Sequence, residues 1–495
     1  MTTANSQSGK KGGGGLRSVV SLAWVMVEKF GTVAISIVTF FVFAKFLGPE
    51  EFGIGVFAMS IAQFLVMAFT SLFQDILVQK KVVSNDDSNT NFWSCVISGG
   101  VGAALLVIGS FIWALHGDQR VAMMSAVGAI QIPLTAISLT HTALLRREGR
   151  FKTLAARTLV GRLLGAAVSV AMVFGGFGAW SLVLQPIAMS AFATATLWFM
   201  SPWRPSFQFN AKLMVEHLRF GAPLAVRGMT YDIFTRAIPI VVGLFAGHAA
   251  TGIVTLAWRI VELPRSAIST GLIGFSLPLM SRRQDNIDQL QTAYLKLTRA
   301  TTLVTCAVFL GECAIAGPLI RIIFGEVWAS AIPTTQIFAV AAAWSFAQQY
   351  SGVALTAMGR PSALLGFHLG STVVALALFP LLLLAGMGPV AAGVVQVLRL
   401  IFLTGPNFLV LRRIMSLSVT RQFSAIGPAF AAGATMVAVT LSVERFLEGR
   451  MGDPAMIALL LVLGGTVYLG VLTLLDRKWI SEVRDLMPGR RAVNR

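Results

Sequence analysis

The chain has 495 residues, 56% of them apolar and only 12% charged, with a formal net charge of +18. That balance excludes a soluble globular protein, and recurring runs of about 20 apolar residues suit a hydrocarbon core roughly 30 Å thick. The fold class is all-α and polytopic in the membrane, because helices satisfy their own backbone hydrogen bonds in lipid.

Residues 1–18 form a basic tail carrying Lys10, Lys11 and Arg17. The apolar run after it is too long for a signal-peptide core and lacks a small-residue cleavage site, so it reads as the first span. Fourteen spans are predicted, at 19–44, 53–78, 92–115, 121–145, 153–174, 178–200, 221–245, 252–280, 299–323, 331–358, 361–384, 389–411, 425–443 and 455–475. Their joints are short and carry helix breakers, as at Gly48-Pro49, Gly175-Gly176 and Gly388-Pro389. Trp93 and Trp113 bracket the third span, and Trp203, Trp328 and Trp479 stand at other borders, the pattern of an interfacial aromatic belt. Two connections, 207–219 and 284–297, repeat apolar residues every three or four positions and read as interfacial amphipathic helices. Cys95, Cys306 and Cys313 fall inside apolar spans and read as packing residues.

Loop charge alternates. Lys80, Lys81, Arg146, Arg147, Arg150, Lys152, Arg204, Lys212, Arg282, Arg283, Arg412 and Arg413 fall on one side, whereas the other receives Lys45, Arg120, Arg445 and Arg450. Positive charge is retained on the cytoplasmic side, so both termini are expected there. The basic excess is therefore topology, and nucleic acid is excluded as a partner.

The chain also repeats itself. A shift of 199 residues lays Phe245, Gly247, Gly252, Ile253, Ala257 and Ile260 on Phe46, Gly48, Gly53, Ile54, Ala58 and Ile61. A shift of 210 lays Gly359-Arg360 on Gly149-Arg150, and Gly386 and Gly388 on Gly176 and Gly178. The expected organisation is two six-helix lobes, 19–200 and 221–411, joined by a linker at 201–220. Two further helices lie within 412–476, followed by a basic tail at 477–495. Such repeats with interrupted helices mark transporters.

The seventh and eighth spans hold Arg227, Asp232, Arg236, Arg259, Glu262 and Arg265. Each charge at lipid depth costs roughly 2.5–3.5 kcal/mol, so such groups are sheltered and usually functional. Four arginines against two acids leave a cationic surplus suited to an anionic group, whose oxygens the planar guanidinium grips in pairs. Asp232–Arg236 and Glu262–Arg265 also have the spacing of silent helical ion pairs. Arg162 and Arg399 are lone cations in the fifth and twelfth spans, and Glu312 is an isolated acid suited to ion coupling. Arg157 and Asp75, near span borders, read as snorkelling or loop-paired, and His141 and His368 as capping or hydrogen-bonded. At the 199-residue shift Glu28 corresponds to Arg227, which suggests a gate pair of opposite charge.

Several stretches resemble the polysaccharide transporter branch of the multidrug/oligosaccharidyl-lipid/polysaccharide exporter superfamily, most closely its colanic-acid-exporter-like and O-antigen flippases. They are Ala44-Lys45-Phe46-Leu47-Gly48-Pro49-Glu50-Glu51-Phe52-Gly53, with Lys45 where the family usually has Arg, then Phe92-Trp93 and Leu145-Arg146-Arg147-Glu148-Gly149-Arg150-Phe151. Gly176-Phe177-Gly178-Ala179-Trp180, Phe324-Gly325-Glu326-Val327-Trp328 and Met358-Gly359-Arg360 follow in order. The resemblance implies a flippase in the bacterial inner membrane. Its cargo would be undecaprenyl-diphosphate-linked repeat units for exopolysaccharide, capsule or lipopolysaccharide, moved by alternating access. Its partners would be the lipid-linked glycan, membrane lipids, and the polymerase and chain-length proteins of that pathway.

The sequence contains no Walker loop, HExxH or Cys/His cluster, so neither an enzyme nor a cofactor is expected. A drug/cation antiporter on the same fold would want an acidic cavity, against the arginine surplus. A glycan polymerase or ligase would want a long extracytoplasmic loop, and the longest, 444–453, is short. A non-transporting scaffold would not need the charged repeats.

Overall fold

The computed structural model describes residues 13–73 and 76–476, with side chains described except at 13–22, 220 and 223–232. Among these residues the regular secondary structure is all helix. Its helices are α1 (Gly13–Thr70), α2 (Ile76–Gln79), α3 (Asn85–His116), α4 (Gln119–Gly128), α5 (Gln131–Arg147), α6 (Phe151–Phe174) and α7 (Trp180–Met200). Then follow α8 (Ala211–Ser281), α9 (Ile287–Phe324), α10 (Ile332–Ala347), α11 (Gln349–Ala357), α12 (Leu365–Leu382), α13 (Val390–Met415), α14 (Val419–Leu447) and α15 (Asp453–Leu475). Twelve stretches are long and apolar enough to cross a membrane. Two of them, Ala23–Thr70 and Ile233–Ser281, are each broken by a non-helical glycine, so the described residues hold fourteen membrane helices. The protein is a multi-pass membrane protein.

The breaks obey the repeat. Gly48 (φ 68°, ψ 170°) and Gly247 (φ 85°, ψ 178°), 199 residues apart, share a conformation that only glycine holds without strain. At the 210-residue offset the φ values pair again: 69° with 72° at Gly149 and Gly359, 77° with 84° at Gly176 and Gly386, and 56° twice at Gly178 and Gly388. The helix breakers recur as conformations, not merely as letters.

The chain separates into two compact units between Gly243 and Leu244, within α8. In the first unit the early part of α8 lies against the second half of α1. A side chain at Gly221 would collide with the Leu72 carbonyl and one at Gly243 with the Phe57 ring, and Arg236 Nη1 donates to Gln63 Oε1 at 3.1 Å. Ascending positions on one helix meet descending ones on the other, so the contact is antiparallel.

Glycine also sets the closest packing in this unit. A Cβ at Gly165 would sit 2.9 Å from the Met189 amide nitrogen, and one at Gly161 2.7 Å from the Met189 carbonyl oxygen. α6 and α7 thus meet backbone to backbone, the small-residue contact favoured where lipid supplies no hydrophobic drive. The segment entering α8 is bound to the same unit: Asn89 accepts from the Ser206 amide, Trp93 Nε1 donates to the Ser206 carbonyl, and Leu218 packs with Leu72, Phe73 and Ile76. His141, fully buried, meets the Ser201 hydroxyl through Nδ1 at 3.1 Å, in keeping with its expected hydrogen-bonded role.

In the second unit Trp328, expected at a membrane border, is fully buried. It lies in a 3-10 turn, Glu326–Ala331, folded back under α9 and α10. The amphipathic stretches 207–219 and 284–297 do not form separate helices. α8 begins at Ala211 and α9 at Ile287, and each runs on without a break into a membrane span. Cys95, Cys306 and Cys313 are buried and unbridged.

Candidate functional site

The first unit holds a polar cavity of about 190 Å³ among α5, α6 and α7. Its polar lining includes Thr135 and Ser138 from α5, Arg157 and Arg162 from α6, and Ser190 and Thr194 from α7. At ~1.5 Å per residue, Arg157 stands about 9 Å and Arg162 about 16 Å along α6 from Phe151, so both lie well inside the span.

Each arginine is held from a neighbouring helix. Arg162 Nη1 donates to Ser36 Oγ at 3.0 Å, and Arg157 Nη1 donates to Thr142 Oγ1 at 2.6 Å. Arg157 Nε is buried without a hydrogen-bond partner. Glu28 on α1 acts on Arg157 electrostatically. Glu28 and Ser36 are eight residues apart and share a face of α1, and a Cβ at Gly31 between them would press on Leu159 of α6. Thus Glu28 acts on a cation of its own unit, while Arg227, its suggested gate partner, lies outside the described side chains.

The remaining expected site residues are dispersed. Arg236 is bonded to Gln63, and Arg259 is exposed. Arg265 grips Glu262 through Nε at 2.6 Å and Nη2 at 2.8 Å, the helical ion pair its spacing allowed. Asp232 lies outside the described side chains and Asp75 outside the described residues. Glu312 Oε2 is buried on α9 with no hydrogen-bond partner. Arg399 is 6% exposed on α13. Near it, Gln348 Nε2 donates to Thr404 Oγ1 at 2.7 Å and its Oε1 accepts from Asn407 at 2.9 Å, forming a polar ladder.

Two ionic hubs close the helix ends opposite the basic loops. Glu51 receives both Nη atoms of Arg120, at 2.5 and 2.7 Å, and the Ala179 amide at 2.8 Å, joining α1, α4 and α7. Arg321 on α9 meets Glu444 at 3.4 Å, Asp453 at 3.3 Å and Glu448 at 4.0 Å. At the basic end, Asp87 closes a capping box with Ser84, accepts from Lys80 Nζ at 2.6 Å and stands 3.6 Å from His217 Nε2. Burial holds the His217 ring below its ordinary pKa of 6.5. The Asp87 charge opposes that change and the Lys80 charge adds to it.

Sequence reasoning passed over Arg157, which looked like a snorkelling border residue. Its five-residue spacing from Arg162, opposite hydroxyl-bearing α5 and α7, was the available signal.

The chain is 24% identical to the succinoglycan biosynthesis transport protein ExoT of Rhizobium meliloti over 325 residues, 65% of each chain. It is 22% identical to the teichuronic acid biosynthesis protein TuaB of Bacillus subtilis, spanning 91% of this chain and 94% of that one. To the lipopolysaccharide biosynthesis protein WzxC of Escherichia coli it is 20% identical, over 66% of each. Among solved structures, the lipid II flippase MurJ in an inward closed conformation superposes with a TM-score of 0.65 at 13% identity, covering 94% of this chain and 99% of that one. An inward-facing multidrug resistance MATE family transporter of the MOP superfamily gives 0.57 at 15% identity, covering 79% and 98%. These likenesses establish a fold shared with flippases and transporters. Residues 42–333, more than half of the chain, match the family described as polysaccharide biosynthesis protein, and the chain belongs to that family.

Proposed function

We propose that the protein is a flippase that carries undecaprenyl-diphosphate-linked oligosaccharide repeat units outward across the bacterial inner membrane, by alternating access and without catalysis of its own. The observation that carries this reading is a polar, two-arginine cavity sunk inside the membrane helices of a polysaccharide biosynthesis protein. An apolar span tolerates such groups only where they meet a polar cargo or one another. In this reading Arg162, Arg227 and Arg236 of the first unit and Arg259 and Arg265 of the second are the cations that meet the pyrophosphate. Arg265 exchanges Glu262 for phosphate on the way. Glu28, Asp232, Glu262 and Glu312 serve as counter-charges or ion-coupling groups. A polymerase acting with chain-length proteins consumes the cargo outside. A cation antiporter is disfavoured, because Arg157 and Arg162 would repel its cargo.

Deletion of the gene followed by mass analysis of the lipid fraction tests the reading. The completed lipid-linked repeat unit should accumulate and external polymer should be lost. Accumulation of unlinked, ungrown precursors instead would place the protein in synthesis rather than transport.

A further inference from the structure

We infer that the first-unit cavity is a selectivity subsite for one acidic monosaccharide of the cargo, reading its carboxylate with Arg157 and its ring hydroxyls with the serines and threonines around it; this rests on the flippase reading above. The donor and acceptor balance points there. Four of the cavity's hydroxyls spend their hydrogen on main-chain carbonyls: Thr135 on Gln131 at 2.9 Å, Ser138 on Thr135 at 2.8 Å, Thr158 on Leu154 at 3.0 Å and Thr194 on Leu134 at 2.8 Å. A hydroxyl has one hydrogen and two lone pairs, so what remains at these four positions is acceptor capacity. An ionised pyrophosphate is itself acceptor-only and finds partners at the arginines but none at these hydroxyls. Sugar hydroxyls donate, and so fit.

The donors come from the arginines. Arg157 lines the cavity and is fixed by Thr142 through one nitrogen. A planar carboxylate is the ligand that satisfies a guanidinium edge without demanding more cations. Size agrees as well. A cavity near 150 Å³ takes a benzene ring, so one of about 190 Å³ takes a substituted six-membered ring.

The second repeat carries different side chains at the equivalent positions. At the 210-residue offset, Gly161, Ser190 and Ala193 become Ser371, Leu400 and Leu403, and Arg162 becomes Thr372. Ser371 and Leu403 are buried, and Arg399, at the position of Met189, is 6% exposed. Three of these four positions thus carry a larger side chain in the second repeat, while Arg162 gives way to the smaller Thr372, so the lining of the cavity is particular to the first repeat.

Saturation-transfer NMR on the full-length protein in detergent, with methyl β-D-glucuronide, methyl β-D-glucoside and inorganic pyrophosphate, tests this. The glucuronide should bind about tenfold or more tightly than the glucoside, since a charge-assisted contact is lost in the latter. Pyrophosphate, which meets the arginines but none of these acceptor hydroxyls, should displace it only at about tenfold or greater excess. Arg157→Gln and Ser190→Leu, the latter copying Leu400, should each weaken glucuronide binding about tenfold with an unshifted thermal midpoint, and Arg157→Lys should recover part. Equal binding of glucoside and glucuronide, displacement by an equal concentration of pyrophosphate, or undiminished binding in folded Ser190→Leu would overturn the subsite. Should a variant fail to fold, the three-ligand comparison on the unaltered protein still decides. Translocation of a lipid-linked glycan by the unaltered protein in vesicles is read separately. Translocation without glucuronide binding sinks the subsite alone, and no translocation sinks the flippase reading.

Discussion

Arginines that look alike in the sequence differ in what they hold. Arg120 and Glu51 form a well-aligned pair, but their side chains are 43% and 34% exposed, so water screens the attraction. Arg321 is 22% exposed, and its partner Glu444 only 13%. Breaking an exposed pair costs about 0–1 kcal/mol, whereas stranding a buried charge costs roughly 3–5 kcal/mol. Arg321→Gln should therefore lower the thermal midpoint in detergent clearly, and Arg120→Gln only slightly; equal shifts would show that exposure does not rank these hubs. Such distinctions were not legible in the sequence. Composition and spacing identify Arg157, Arg162 and Arg265 as cations in apolar spans, but not that Arg265 is held by Glu262 while Arg157 faces a cavity. That depends on the rotation of each helix against its neighbours, which packing decides. Glu262–Arg265 was readable because both partners lie on one helix turn. Arg162–Ser36 was not, because it joins α6 to α1.

At the scale of the helix, glycine carried the most readable information. The breaks at Gly48 and Gly247 were visible as a repeated letter beside a joint, and both adopt a positive φ with extended ψ. Alanine there is strained by about 1–3 kcal/mol. Gly48→Ala and Gly247→Ala should each destabilise the protein, measured by thermal unfolding. Gly100→Ala, within α3 and with open space around it, should be neutral or slightly stabilising, because alanine is the better helix former by about 1 kcal/mol. A stable Gly48→Ala protein would mean the break is not needed to start the second span. The amphipathic joints were less readable. Three- and four-residue periodicity persists when an interfacial turn of helix runs directly into a span, so the pattern at 207–219 and 284–297 could not reveal that no break follows. Trp328 misled for a related reason: tryptophan at a border is common in belts, yet the 3-10 turn at Glu326–Ala331 turns its ring inward.

At the scale of the whole molecule, the repeat offsets stand in the sequence, but the extent of the first compact unit depends on contacts that no spacing reveals. That unit runs to Gly243, and residues from Asn210 to Gly243 find partners on α1 and α3. The linker is therefore docked on the first unit, and His217 sits in that dock at 2% exposure with neither ring nitrogen hydrogen-bonded. The charged groups acting on it are Asp87 and Lys80 at the neighbouring helix ends and Glu216 beside it, and burial outweighs them to lower its pKa from 6.5. An undocked ring titrates near 6.5, so below that pH the undocked segment binds more protons than the docked one. Docking is then at full strength above the ordinary value and weakens as pH falls toward the lowered one. Hydrogen exchange of the segment 211–219, corrected for the chemical exchange rate, should quicken between about pH 7.5 and about pH 5.5. His217→Gln, which cannot take up the proton, should flatten that dependence. Exchange that quickens equally in the variant would assign the effect to Asp87 or Glu216 and remove His217 from the dock's response to acid.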